Sequence, residues 1–118
     1  MSLSDLLELL KTNPTAVNFQ DVIETIDTEY DYTPSKFING EGELAVVNDK
    51  STNEGSCKIL AFSILNNLSK EQTLNCFGDY YRKDVLLNPD NSDHANIRNL
   101  IKFGIEKVIF ENEVLIKR

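Results

Sequence analysis

The sequence predicts an α+β fold, with about five helices packed on a small antiparallel sheet and a β-hairpin at the C-terminal end. Three observations predict it. Leu3, Leu6, Leu7 and Leu10 recur at helical spacing, and later segments repeat that pattern. From Tyr30 to Gly55 the helical period fails, and Pro34, Gly40 and Gly42 punctuate short β-prone pieces. The final stretch, EKVIFENEVLIKR, has two β-rich pieces around Glu111-Asn112-Glu113, a hairpin pattern. Helices followed by a terminal hairpin suggest an α+β arrangement.

Residues 3–12, LSDLLELLKT, read as an amphipathic helix stopped by Asn13-Pro14. Asn18 caps a second helix, with Asp21 in a capping-box-like position and Phe19, Val22, Ile23 and Ile26 as its buried stripe. Residues 36–39 and 43–48 read as a loose hairpin, and NDKSTNEG (48–55) as a polar loop. Residues 56–68 form the most apolar helix. Its polar side is narrow (Lys58, Ser63, Asn66 and Asn67), which places it at the centre of the fold. Ser69-Lys70-Glu71-Gln72 is a capping box, so a helix is expected from 70 to about 88, with a kink at Gly78 and a stop at Asn88-Pro89. Asp93 is expected to cap a last helix over 94–103, with Gly104 as its left-handed stop.

A chain of 118 residues is the usual size of one domain, taken here as 1–118, and no internal repeat is visible. The net charge of −7 and the absence of Lys/Arg clusters disfavour nucleic acid and anionic membrane surfaces as partners. The acidity is uneven: residues 1–56 hold eleven Asp/Glu against three Lys/Arg, and residues 57–118 eight against nine. No apolar run reaches the ~20 residues of a membrane span, and no signal peptide is visible. Two cysteines, Cys57 and Cys76, both within apolar segments, fit a reducing cytoplasm better than a disulfide scaffold. No glycine-rich phosphate loop is present, so no nucleotide, nicotinamide or flavin cofactor is expected. DTEYD (27–31) lacks the glycine and glutamate of a calcium loop, with Tyr32 and Ile38 at those positions. Cys57, Cys76 and His94 lack metal-ligand spacing, so no metal is expected.

The stretch GSCKILAF (55–62) raises the main chemical question. With Ser56 as N-cap, Cys57 would open a helix, where unpaired N–H groups stabilise a thiolate. His94, the only histidine, would be its base, with Asn96 or Asn99 orienting the ring. Against this, a free cysteine opening an apolar helix is most often a small buried hydrophobe. A second group is Tyr80, Arg82 and Arg98. Tyr80 and Asp84 share an outer helix face, while Phe77, Tyr81 and Val85 share an inner one. The two arginines either meet a carboxylate or phosphate ligand or pair internally with Asp79, Asp84 or Asp93; internal pairing is favoured.

GSCKILAF (55–62), TLNCFGDYYRKDVLLNP (73–89) and DHANIRNLIKFG (93–104), in this order and spacing, resemble the HopJ type III effector family. YDYTPSKFINGE (30–41) and VIFENEVL (108–115) fit as well, so the resemblance covers nearly the whole chain. Family members often carry an aromatic residue after the glycine at 104, where this chain has Ile105, and the loop around 41–54 also differs. The family takes its name from an injected virulence protein, but the resemblance implies no established activity and carries no catalytic residue over. Residues 1–50 contain only Ser2, Ser4 and Ser35 and begin as helix, unlike a serine-rich secretion segment. The expected function is therefore a binding or interaction module with an unknown protein or small-molecule partner. A thiol-dependent enzyme using Cys57 and His94, and an effector delivered into a host cell, are the alternatives. The expected location is the cytoplasm, or a host cell if the effector label holds.

Overall fold

Side-chain caps start three of the five α-helices in the computed structural model, which describes residues 1–118. Ser2 accepts the N–H of Asp5 at 3.1 Å ahead of α1 (Leu3–Thr12), and Asn18 accepts that of Asp21 at 2.8 Å ahead of α2 (Phe19–Glu29). Ser69 and Gln72 form the expected reciprocal capping box of α4 (Lys70–Asn75). The other two begin differently. Asn53 precedes α3 (Glu54–Leu65) and His94 precedes α5 (Ala95–Phe103), both in the left-handed region, at φ 50° and 53°. Neither side chain caps its helix.

Five three-residue strands make two antiparallel sheets. β1 (Tyr30–Tyr32) pairs with β5 (Leu115–Lys117), Tyr32 facing Leu115. β2 (Phe37–Asn39) is the centre of the other sheet, between β3 (Val46–Asn48) and β4 (Val108–Phe110). The expected hairpin of 36–39 with 43–48 is present, but its second strand starts only at Val46 because Gly42–Leu44 wind a 3₁₀ turn.

The expected C-terminal hairpin is corrected: β4 and β5 part to different sheets. Ser35, itself buried, governs the crossing. Its Oγ accepts the N–H of Asn112 at 3.1 Å, while Glu111 N donates to the Lys36 carbonyl at 3.0 Å and Thr33 N to the Val114 carbonyl at 2.8 Å. Residues 111–114 are thus laced to 33–36 instead of turning back on β4. Phe37 and Phe110, directly opposite in register, fix the larger sheet with ring centroids 5.3 Å apart.

α3 is the central helix, as expected. Cys57, Ile59, Leu60, Ala61, Phe62 and Ser63 are all buried along it, against Leu6, Leu10, Val22 and Ile26 of α1 and α2. The helix expected over 70–88 is broken rather than kinked. α4 ends at Asn75, Gly78 turns to φ 59°, and Tyr80–Val85 resume as one π-helical segment. The cause is a close approach: a Cβ on Gly78 would lie 2.7 Å from the backbone N of Phe19. Asp93 does not cap α5, since the position belongs to His94; and Gly104 ends that helix at φ 82°, ψ 173°, outside the left-handed helical region. No helix is long and apolar enough to cross a membrane.

Candidate ligand groove

Phe19, the first residue of α2, is seated by two glycines. A Cβ on Gly55 would lie 2.9 Å from its ring Cζ, and Gly78 meets its backbone. GSCKILAF and TLNCFGDYYRKDVLLNP thus meet at one phenylalanine. Its ring stands edge-to-face with Tyr80 at 5.1 Å and 86°, and Tyr80 lies 5.4 Å from the His94 imidazole. Phe19, Tyr80 and His94 make a row of three rings.

That row borders an open groove of about 410 Å³. Its other walls include Gly55 and Ser56 from the first turn of α3, and Ala95 and Asn96 from that of α5. The first-turn N–H groups of a helix have no partner inside the helix, and these two helices also lack side-chain caps. Ile97 is the exception, donating to the His94 carbonyl at 3.0 Å.

Behind the groove lies a buried asparagine network. Asn96 donates to Asn48 Oδ1 at 2.8 Å and accepts from Asn39 and Asn48, each at 3.1 Å; Asn53 donates to Asn48 Oδ1 at 2.7 Å. The network ties the start of α5 to β2, β3 and the residue before α3. Asn96 is therefore a structural tie at the groove wall, with its amide already committed.

His94 Nε2 lies 3.0 Å from Asp84 Oδ2 and 3.7 Å from Asp93 Oδ2. A carboxylate only accepts, so Nε2 carries the proton toward Asp84. Arg98 is held by Asp93, with Nη2 to Oδ1 at 2.8 Å and Nε to the carbonyl at 2.6 Å. The Arg98 hydrogen bond holds the Asp93 carboxyl below its ordinary value, helped by the nearby His94 and Arg98 charges. Arg82 takes a third course, and its expected pairing with an aspartate is corrected. Its guanidinium donates to Asn75 Oδ1 at 2.9 Å and to the Val17 carbonyl, locking the π-helical segment to the end of α4 and to the residue before the Asn18 cap. Both arginines are thus committed within the protein.

Cys57 is elsewhere. Because α3 begins at Glu54, Cys57 is its fourth residue, and its N–H already donates to the Asn53 carbonyl at 3.0 Å. The placement expected from a Ser56 cap is therefore corrected. The side chain is buried, with Sγ 4.0 Å from the Ser35 carbonyl, and burial pushes the thiol pKa up. It does not line the groove, and no hydrogen bond joins it to His94. Cys76 is fully buried as well, its thiol pushed up to about 12 by desolvation, and both cysteines are free. No group of three or more His, Cys, Asp and Glu converges as a metal-ligand set.

Of the residues expected at a site, the structure brings Tyr80, His94 and Asn96 to the groove and leaves Cys57, Arg82 and Arg98 outside it. Phe19, Ser56 and Gly55 were not expected there. The sequence places Gly55 at the end of the polar stretch 48–55, so the close packing of Phe19 against it has no local signal.

The fold and groove define a small α+β domain with an open groove where two of its helices begin. The sequence profile described as HopJ type III effector protein matches residues 3–115, and the chain belongs to that family. It is similar to a solved structure described as "Crystal structure of unknown function protein VPA0580", at 45% identity and a TM-score of 0.94. The match covers 100% of this chain and 95% of that one. Among curated proteins there is no match.

Proposed function

We propose that this HopJ-family protein is a binding module that holds a small ligand in the groove beside Phe19, Tyr80 and His94 and performs no covalent chemistry. The observation that carries this reading is the groove itself: aromatic surface on one side, unpaired first-turn N–H groups of two uncapped helices on another. A flat ring bearing a hydrogen-bond acceptor matches both walls. The thiol reading loses support because Cys57 faces Ser35 and is buried, while His94 is engaged by two aspartates.

Fragment titration into the ¹⁵N-labelled protein tests the proposal, using a panel of small aromatic acids and amides. Binding should move the amide signals of Gly55, Ser56, Ala95 and Asn96 together. A panel that moves none of them, or moves only distant signals, would refute it.

The family description also supports a second reading, delivery into a host cell. Fusing residues 1–50 to a reporter tests it: transport by a type III apparatus supports delivery, and retention opposes it. α1 and α2 fold within that segment, so an exporter has structure to unwind there.

A further inference from the structure

We infer that a second groove, which shares Phe19 and Tyr80 with the first, binds an organic cation: an alkylated ammonium carried by a free small molecule or by a lysine side chain. This groove, of about 440 Å³, is lined by Asn18, Phe19, Gln20, Asp79, Tyr80 and Asp84. Phe19 and Tyr80 meet at 86°, so the two rings form a two-walled aromatic corner. The face of an aromatic ring is its negative pole and attracts a cation within about 6 Å of the ring centre. Tyr80 is 46% exposed, so the core does not fill the corner.

The carboxylates complete the selection. Asp79 and Asp84 line the same groove, and their side chains are 68% and 50% exposed. Asp79 has only an exposed Lys83 at 3.5 Å, a surface pair that exchanges readily for a ligand ammonium. Asp84 receives one hydrogen bond, from His94. An anion would face both aspartates in a chain of net charge −7, which itself draws cations toward the surface. A bare metal ion wants a shell of oxygen ligands, which two rings do not supply. An ammonium with an alkyl coat gains from rings and carboxylates together. The inference shares the Phe19–Tyr80 ridge with the groove proposed above and to that extent rests on that reading.

The test titrates choline, and separately its uncharged carbon isostere 3,3-dimethyl-1-butanol, into the ¹⁵N-labelled protein at low salt. Choline should move the signals of Asn18, Gln20, Asp79 and Tyr80, and the isostere should bind about fivefold more weakly or worse. Tyr80→Leu and Asp84→Asn should each weaken choline binding while the rest of the spectrum stays that of the folded protein. Nα-acetyl-Nε-trimethyllysine methylamide separates the two sources. Tighter binding than choline supports a protein side chain; weaker binding supports a free small molecule. Equal binding of choline and isostere, displacement of choline by acetate, or no response at tens of millimolar choline would overturn the inference. If choline fails while aromatic fragments still move Gly55, Ser56, Ala95 and Asn96, only this inference falls and the first groove stands.

Discussion

Ser56 and Cys57 are neighbours in the chain and opposites in surroundings. Ser56 lines the open groove; Cys57, turned by about 100° around the helix, lies in a closed pole with Tyr32 and Ser35. In that pole the polar groups are satisfied. Tyr32 donates to Glu54 Oε1 at 3.0 Å, and Lys58 sits 4.8 Å from the Tyr32 ring centre while bonding Asp27 at 2.8 Å. Burial raises the pKa of both the Tyr32 hydroxyl and the Cys57 thiol. The groove side is unfinished: half-exposed Tyr80, two uncapped helix starts and two open grooves. Reactive residue type is therefore a poor guide to a site in this fold. The nucleophile went to the pole that is full, and the open grooves formed where helix starts were left uncapped.

The largest effect should come from Gly78→Ala, which puts a Cβ against Phe19 at a φ of 59°. Urea denaturation should show a loss of about 2–4 kcal/mol, and the open pole should disorder first. Asn96→Ala should follow at about 1–3 kcal/mol, because it removes the side-chain hydrogen bonds that Asn96 makes with buried Asn39 and Asn48. A smaller loss, about 1–2 kcal/mol, is expected for Cys57→Ser, which swaps a buried thiol for a hydroxyl that needs a partner. In the native protein neither thiol should react with iodoacetamide until denaturant is added. Rapid native alkylation of Cys57 would break the contrast between the poles.

Tyr80→Leu should change stability by no more than about 1 kcal/mol, since the side chain is half in water, while removing ligand responses in both grooves. Least of all, Asp93→Asn should remove a small contribution that is present near neutral pH and absent in strong acid. Arg98 holds the Asp93 pKa below its ordinary 3.8, so the contribution is present above that pH and fades as pH falls through the lower folded value. Urea midpoints of wild type and variant should therefore differ near neutral pH and converge in strong acid.

Local order was legible in the sequence. The leucine stripe of α1, the Asn18 cap, the Ser69 box and the apolar centre of α3 each come from residues within a few positions of one another. The sequence marks Tyr80 as a ligand-binding candidate and pairs His94 and Asn96 with Cys57, whereas the structure sets all three at a groove that Cys57 does not line. What was not legible depends on residues far apart. The pieces around Glu111-Asn112-Glu113 look like a hairpin, yet Ser35 captures Asn112 across 77 positions and sends the two strands to separate sheets. Gly78 looked like a kink because its partner, Phe19, lies in a different helix. Arg82 looked ready for a carboxylate and instead took the Val17 carbonyl, an acceptor that no side-chain pattern announces.

The parting of β4 and β5 also sets a schedule for biogenesis. Both sheets draw their last strand from residues 108–117, and their earlier strands lie between 30 and 48. While those final residues are still inside the ribosome, Phe37 and Tyr32 have no partner strand from them. The emerging chain can already pack α3 against α1 and α2, but both sheets stay open until translation has passed the last strand. Closure of the two sheets is therefore a coupled step that waits for residues 108–117, after α1, α2 and α3 have been made.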